Sequence, residues 1–326
     1  MDRRRFIGTT AAALLAVSRV THAQPTAKVA RIGFLGPSTA SAQPNRVEAL
    51  REGLRDFGYI EGKNILIEFR WAEGNFDRLP GLAEELVRLN VDILVTNGTP
   101  ATRAAKRATK KIPIVMATSG DAVGTGLVAS LARPGGNITG STVFSPELNA
   151  KRLGLLKDAY PRAKLIAVLL DPRNPVTESS LQAMELTARS LKVEIQPFEV
   201  RVPDEIEGAF SAMAKRRVDA VAINQDTVLT DNARAISNLA VKQHLPMAGG
   251  KEYAEVGGLL AYGVNFPEMS RRAAYFIDKI LKGAKPGDLP VEQATKFELV
   301  INLKTAKSLG ITIPQSLVLR ADEVIE

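Results

Sequence analysis

Residues able to bind or react by hydrogen bond and charge are concentrated in five short segments. These are Gly36-Pro37-Ser38-Thr39, Asn97-Gly98-Thr99-Pro100, Thr118-Ser119-Gly120-Asp121, Asp171-Pro172-Arg173-Asn174 and Asn224-Gln225-Asp226-Thr227. Hydroxyls, amides, carboxylates and a few flexible backbone positions suit non-covalent capture of a small polar solute. Covalent chemistry has little to work with. The chain has no Cys and only His22 and His244, which removes thiolate nucleophiles, Cys-ligated metals and disulfides and leaves no His cluster for a metal. No phosphate-binding G-x-x-x-x-G-K-[ST] loop is present, Gly33-Phe34-Leu35-Gly36 has the wrong spacing for a dinucleotide fingerprint, and no G-x-S-x-G elbow occurs. No catalytic residues, metal or cofactor are therefore assigned. Turn and cap chemistry favours the same small polar residues, so one such loop alone signifies only a loop.

The elements on which these loops sit give them a common direction. Short apolar runs at Arg31 to Leu35, Ile65 to Phe69, Ile93 to Val95 and Pro113 to Met116 predict strands. Helical periodicity over Arg46 to Phe57, Arg78 to Leu89 and Ala101 to Thr109 fills the gaps between them. A second series has strands at Leu165 to Leu170, Val193 to Phe198, Ala220 to Ile223 and Pro246 to Ala248. Its helices lie near Glu178 to Leu191, Asp204 to Lys215 and Asp231 to Gln243. Alternating strands and helices form parallel sheets, whose ligands gather beyond the carboxyl ends of the strands. Each of the five polar segments follows an apolar run.

The two series repeat each other. Val91-Asp92-Ile93 through Asn97 parallels Val218-Asp219-Ala220 through Asn224, and Ile112-Pro113-Ile114 parallels Leu245-Pro246-Met247. Gly126-Leu127-Val128-Ala129 parallels Gly258-Leu259-Leu260-Ala261, with offsets of 127, 133 and 132 residues across the three pairs. The expected fold class is α/β, with two similar doubly wound parallel-sheet lobes and a ligand cleft between them. A length of 326 residues agrees with two lobes rather than one core.

The N-terminus has the pattern of an export signal. Arg3-Arg4-Arg5-Phe6-Ile7 fits a twin-arginine motif, Thr9 to Val17 is apolar, and Thr21-His22-Ala23 supplies small residues at a cleavage site, so residues 1–23 are read as a signal peptide. Either export route could use it, and the expected product is a soluble periplasmic monomer. Of the net charge of +8, Arg3, Arg4, Arg5 and Arg19 against Asp2 account for three, leaving +5 on the exported chain. The densest basic cluster, Arg103, Lys106, Arg107, Lys110 and Lys111, reads as a solvated helix face. No nucleic-acid partner is expected.

Ile32-Gly33-Phe34-Leu35-Gly36, Arg70-Trp71-Ala72-Glu73-Gly74, the run from Asp121 to Gly140, and Thr295 to Lys307 together resemble the periplasmic substrate-binding proteins of ABC transporters, in the branch with tryptophan- and phenylalanine-binding members. One departure is Ala122, where the family usually carries Pro. The resemblance implies the type I binding-protein fold, a small amino-acid-like solute, an ABC permease as partner, and closure of two lobes joined by crossovers. An N-lobe of 29–143 plus about 264–290 and a C-lobe of 144–263 plus about 291–326 follow from it. The same architecture also serves ligand sensors for membrane signalling proteins and some enzymes.

For an amino-acid ligand, the carboxylate is expected at Gly98-Thr99-Pro100 and the ammonium at Asp121 or Asp226. Ser38, Thr39, Thr118, Asp171, Asn174, Gln225, Thr227 and Tyr262 complete the expected contacts. Trp71, Phe144, Tyr262 and Phe266 are the candidate apolar walls.

Overall fold

The computed structural model describes residues 29–326, so the export-signal reading of residues 1–23 lies outside the described residues. In chain order the N-terminal half runs β1 (Ala30–Gly36), α1 (Pro44–Asp56), β2 (Ile65–Trp71), α2 (Leu79–Arg88), β3 (Ile93–Asn97), α3 (Thr99–Ala108), β4 (Ile114–Thr118) and β5 (Ile138–Thr142). The chain continues through α4 (Ser145–Ala159), β6 (Leu165–Leu170), α5 (Thr177–Leu191), β7 (Glu194–Glu199), α6 (Ile206–Arg216), β8 (Ala220–Ile223), α7 (Thr227–Asp231), α8 (Ala233–Lys242), β9 (Met247–Gly249), α9 (Lys251–Ala254) and β10 (Leu260–Gly263). It ends with α10 (Phe266–Leu281), β11 (Glu292–Gln293), β12 (Glu298–Asn302), α11 (Leu303–Ser308), α12 (Gln315–Val318) and β13 (Glu323–Ile325).

These strands form two sheets. One has the order β11-β5-β4-β3-β1-β2 and the other β13-β12-β10-β9-β8-β6-β7. The five-strand cores β2-β1-β3-β4-β5 and β7-β6-β8-β9-β10 have the same winding, parallel throughout, and only β12 runs antiparallel to its neighbour β10. Helices cover both faces of each sheet, so β3, β4, β5 and β8 are buried along their whole length. Such strands tolerate continuous Val, Ile, Leu and Ala, as in Ile93-Leu94-Val95 and Ala220-Val221-Ala222-Ile223.

Two of the three internal matches have a shared structural cause. Asp92 Oδ2 accepts the Arg31 N–H at 2.8 Å, and Asp219 Oδ2 accepts the N–H groups of Lys164 and Leu165 at 2.7 and 2.9 Å. Each Asp thus fixes the start of the neighbouring first strand. Likewise the carbonyls of Pro113 and Pro246 receive the N–H groups of Leu94 and Val221 at 2.8 and 2.9 Å. The third match is not equivalent. Gly258-Leu259 leads into β10, whereas Gly126-Leu127 lies in a turn well before β5, the strand that occupies β10's position in the other lobe.

The chain passes between the sheets at Val143-Phe144, Val264-Asn265 and Ala294 to Phe297. Val143, Val264, Phe266, Met269, Ala294 and Phe297 pack into one apolar cluster there. Because β11 pairs with β5 through Glu292↔Ser141 and Gln293↔Thr142, the last crossing follows Gln293 rather than residue 290. Helix α10 packs on α1 and on β4 and β5, which returns it to the first lobe. Gly53 makes that packing close: a Cβ on it would stand 2.4 Å from the Arg271 carbonyl oxygen. Gly53→Ala is expected to destabilise the fold by about 1–3 kcal/mol through overpacking, read as a lowered midpoint in thermal unfolding. An unchanged midpoint would show that the two helices do not meet this closely.

Candidate functional site

The carboxyl edges of the two sheets face each other, and the loops after the strands line a cavity of about 40 Å³. The first lobe contributes Arg46, Gly98, Thr99, Pro100, Thr118, Ser119 and Gly120. The second contributes Ser145, Asn174, Val176, Gln225, Asp226, Thr227 and Thr230, and the crossings add Val143 and Phe266. The lobes touch in this conformation. Gln43 Nε2 donates to Asp231 Oδ1 at 3.3 Å, Arg46 pairs with Glu252 at 3.2 Å, and the Arg173 guanidinium lies 4.8 Å from the centre of the Phe76 ring. Two glycines permit this approach. A Cβ at Gly98 would lie 3.3 Å from Thr227 Oγ1, and one at Gly120 would lie 2.8 Å from Ser145 Oγ.

Hydrogen-bonding capacity is left over inside. Ser119 and Ser145 are 1% and 0% exposed, and among the described residues their hydroxyls have no partner. Burying an unsatisfied polar group is costly, and both of these hydroxyls border the cavity. Helix α3 adds a third set of donors: its cap is Gly98, at φ +85°, with no side chain to satisfy the first-turn N–H groups. A helix N-terminus in this state favours an anion. Thr99 Oγ1 accepts the Gly120 N–H at 2.9 Å, which ties the β4 loop to the helix start.

Asp226 supplies the negative charge. Its Oδ1 accepts the N–H groups of Val228 and Leu229 at 2.8 and 3.2 Å, capping α7, and its Oδ2 accepts Asn174 Nδ2 at 2.8 Å. Burial, reinforced by nearby Asp171, pushes its pKa up to about 6. Asp231, between the lobes, is also raised by burial to about 6.

Eight of the thirteen expected contacts line the cavity: Gly98, Thr99, Pro100, Thr118, Asn174, Gln225, Asp226 and Thr227. Five do not. Asp121 turns away and accepts the Gly124 N–H at 2.8 Å, closing its own turn. Asp171 is consumed by Arg173, with contacts of 2.7 Å to Nη2 and 3.1 Å to Nε. Ser38 is buried behind the first loop, and Thr39 caps a short turn by accepting the Ala42 N–H. Tyr262 stacks on Phe297 at 5.6 Å and shares a separate groove with Phe144. Trp71 stacks on Phe69 at the first sheet, so of the four candidate walls only Phe266 reaches the cavity, with the Arg46 guanidinium 4.2 Å from its ring centre. Arg46 was missed because it reads as the exposed start of an amphipathic helix. Its signal is Pro44, a helix-start residue that turns the first helical turn toward the strand ends.

The model for the family described as ABC transporter substrate binding protein matches residues 36–325. This chain belongs to that family. A curated relative, a tyrosine-binding protein of Clostridioides difficile (strain R20291), is 28% identical over 276 residues, covering 84% of this chain and 78% of the relative. Among solved structures, an ABC domain from Streptococcus pneumonia in complex with L-Trp is 28% identical, with a TM-score of 0.84 over 91% of this binding protein and 99% of that chain. A conserved domain protein from Vibrio cholerae is 30% identical, with a TM-score of 0.85 over 91% and 100%. The type I binding-protein fold expected from the sequence is thus the fold observed.

The raised pKa of Asp226 has a testable sign. A folded-state carboxyl that holds its proton more firmly than the unfolded one stabilises the fold at low pH and loses that contribution as pH rises from about 4 through about 6. Asp226→Asn, which keeps a capping oxygen, should gain stability relative to the unsubstituted protein across that window, by on the order of 1–3 kcal/mol. Unfolding by urea at pH 4 and pH 7.5 measures the difference. A difference independent of pH would mean that the carboxylate is not desolvated.

Proposed function

We propose that this substrate-binding protein captures a free amino acid of the aromatic class between its lobes outside the cytoplasm and delivers it to the permease of an ABC importer. The observation that carries this reading is one cavity between the lobes in which two hydroxyls unpartnered among the described residues and an uncapped helix start face a buried carboxylate. That is a complement of donors for a ligand carboxylate and an anion for its ammonium. The relatives that carry L-Trp or are called tyrosine-binding support the same class. Among the described residues, no helix is long and apolar enough to cross a membrane, and the signal-like residues 1–23 supply the route of export.

About 40 Å³ holds a few water molecules. An amino acid therefore enters as the lobes part about the crossing cluster, and it stabilises the closed form through contacts to both sides. Its carboxylate meets the start of α3 at Gly98 and Thr99, its ammonium meets Asp226, and Phe266 with the Arg46 stem lies against its side chain. The role is capture and release, with the solute chemically unchanged.

L-Tryptophan or L-tyrosine at about 100 times its dissociation constant should add about 2.7 kcal/mol of stability, seen as a thermal shift with one-to-one stoichiometry in calorimetry. Failure of both to bind would overturn the reading, and so would their conversion to product. Asp226→Ala should weaken binding at least tenfold, because it leaves a buried ammonium without its partner, while Asp121→Ala should change affinity less than twofold. Affinity of the unsubstituted protein should rise from pH 5 to pH 7.5 as Asp226 gives up its proton, and this rise should vanish in Asp226→Asn. A pH-independent affinity would remove Asp226 from the ammonium site.

A further inference from the structure

Behind the cavity wall lies a charge that the proposed contacts leave unused. Arg152, on α4, is 1% exposed and makes no ion pair among the described residues, although Glu252 lies close by: a Cβ on Gly250 would stand 2.8 Å from Glu252 Oε2 and 3.5 Å from Arg152 Nη2. Its guanidinium donates from Nε to the Tyr262 carbonyl at 2.6 Å, and from Nη1 to Asn149 Oδ1 at 3.3 Å and to the Ile223 carbonyl at 3.5 Å. The last arm, Nη2, donates to Gln225 Oε1 at 2.6 Å. Gly263 makes room for it: a Cβ there would stand 3.1 Å from Nη2. Burial lowers its pKa to about 10, which still leaves it charged at neutral pH. Its hydrogen bonds all go to neutral oxygens, and nearby Glu252 offsets only part of the cost of burying the cation, since burial still lowers the pKa.

Gln225 stands between this cation and the cavity. A guanidinium has donors only, so the atom of Gln225 that faces it must be the amide oxygen. That orients the Gln225 amide, whose Nε2 has no partner among the described residues. Asn149 Oδ1 fixes the backbone of the same loop by accepting the Gln225 N–H at 3.0 Å. The loop meets the start of α3 directly across the cleft, where the position of a Gly98 Cβ lies 3.3 Å from Thr227 Oγ1.

We infer that Arg152 is a specificity-determining positioning residue. It pins Gln225 so that the second lobe presents N–H donors with a buried guanidinium behind them, and these take one oxygen of the ligand carboxylate while the start of α3 takes the other. The carboxylate then bridges the lobes, and solutes that lack it do not close them. This rests on the amino-acid reading above.

The test compares each acid with its decarboxylated amine, L-tryptophan with tryptamine and L-tyrosine with tyramine, by titration calorimetry at pH 7.5. The unsubstituted protein should prefer the acid by at least 100-fold. Gln225→Glu keeps a partner for Arg152 but replaces the donor with an acceptor. It should cut affinity for the acid at least tenfold without weakening the amine, so that the preference collapses. Arg152→Met should also lower the ratio at least tenfold, with its thermal midpoint recorded to show that it folds; should it not fold, Gln225→Glu alone decides. An acid-to-amine ratio unchanged in folded Gln225→Glu overturns the inference and leaves the amino-acid reading standing. Absence of binding by both amino acids to the unsubstituted protein overturns the reading and the inference together.

Discussion

Parallel strands all finish at one edge, and here the two finishing edges are held face to face by three chain crossings packed in a single apolar cluster. Val143, Val264, Ala294 and Phe297 come from crossings far apart in sequence, yet they share one small core. Everything polar at the cleft follows from that constraint. The strand-end loops have nowhere else to point, so the starts of α3 and α4 and the β8 loop converge on a volume that neither lobe encloses alone. Bringing them together also buries charge. Asp226, Asp231 and Arg152 are all at least largely removed from water, and each is displaced from its ordinary titration range in the direction that burial dictates.

Closure therefore works against a real electrostatic cost. Most apolar burial lies within the lobes, because the cores sit on the sheet faces, one pair in each lobe, and only Val228 of the second lobe packs into a core of the first. The interface between lobes is by contrast mostly glycine, hydroxyl and charge. An interface of that composition holds weakly by itself, which suits a molecule whose two states must interconvert, and it leaves the ligand to supply the missing partners.

Much of this architecture was legible in the sequence because period and punctuation are local signals. The strands at Leu165 to Leu170 and Ala220 to Ile223 coincide with β6 and β8, and the Val-Asp pairs at 91 and 218 mark equivalent strand starts. What escaped was whatever lacked a solvent face. Helix α4 is buried on most sides, so its residues show no amphipathic pattern, and with it went Arg152, which no periodicity would distinguish from a surface arginine. The site was legible as loops but not as side-chain directions. Asp121 and Asp226 both end strands, yet one caps its own turn and the other faces the cavity, a difference decided by which backbone N–H groups each can reach. Tyr262 and Phe144 likewise fall beside the crossings but on the outer side, where the Tyr262 ring meets Phe297 instead of solute.

The number of crossings is odd, and this places the first described strand and the last in opposite lobes. β1 begins at the edge of its sheet farthest from the cleft. β13 runs parallel to β12, which is antiparallel to β10, so it too ends at a far edge. Residues near Ala30 and Ile325 thus sit at the outer poles of a two-armed lever whose fulcrum is the crossing cluster. A small rotation at the fulcrum becomes a long displacement at the poles, so a pair of dyes placed there would gauge occupancy as a distance, with no label near the solute.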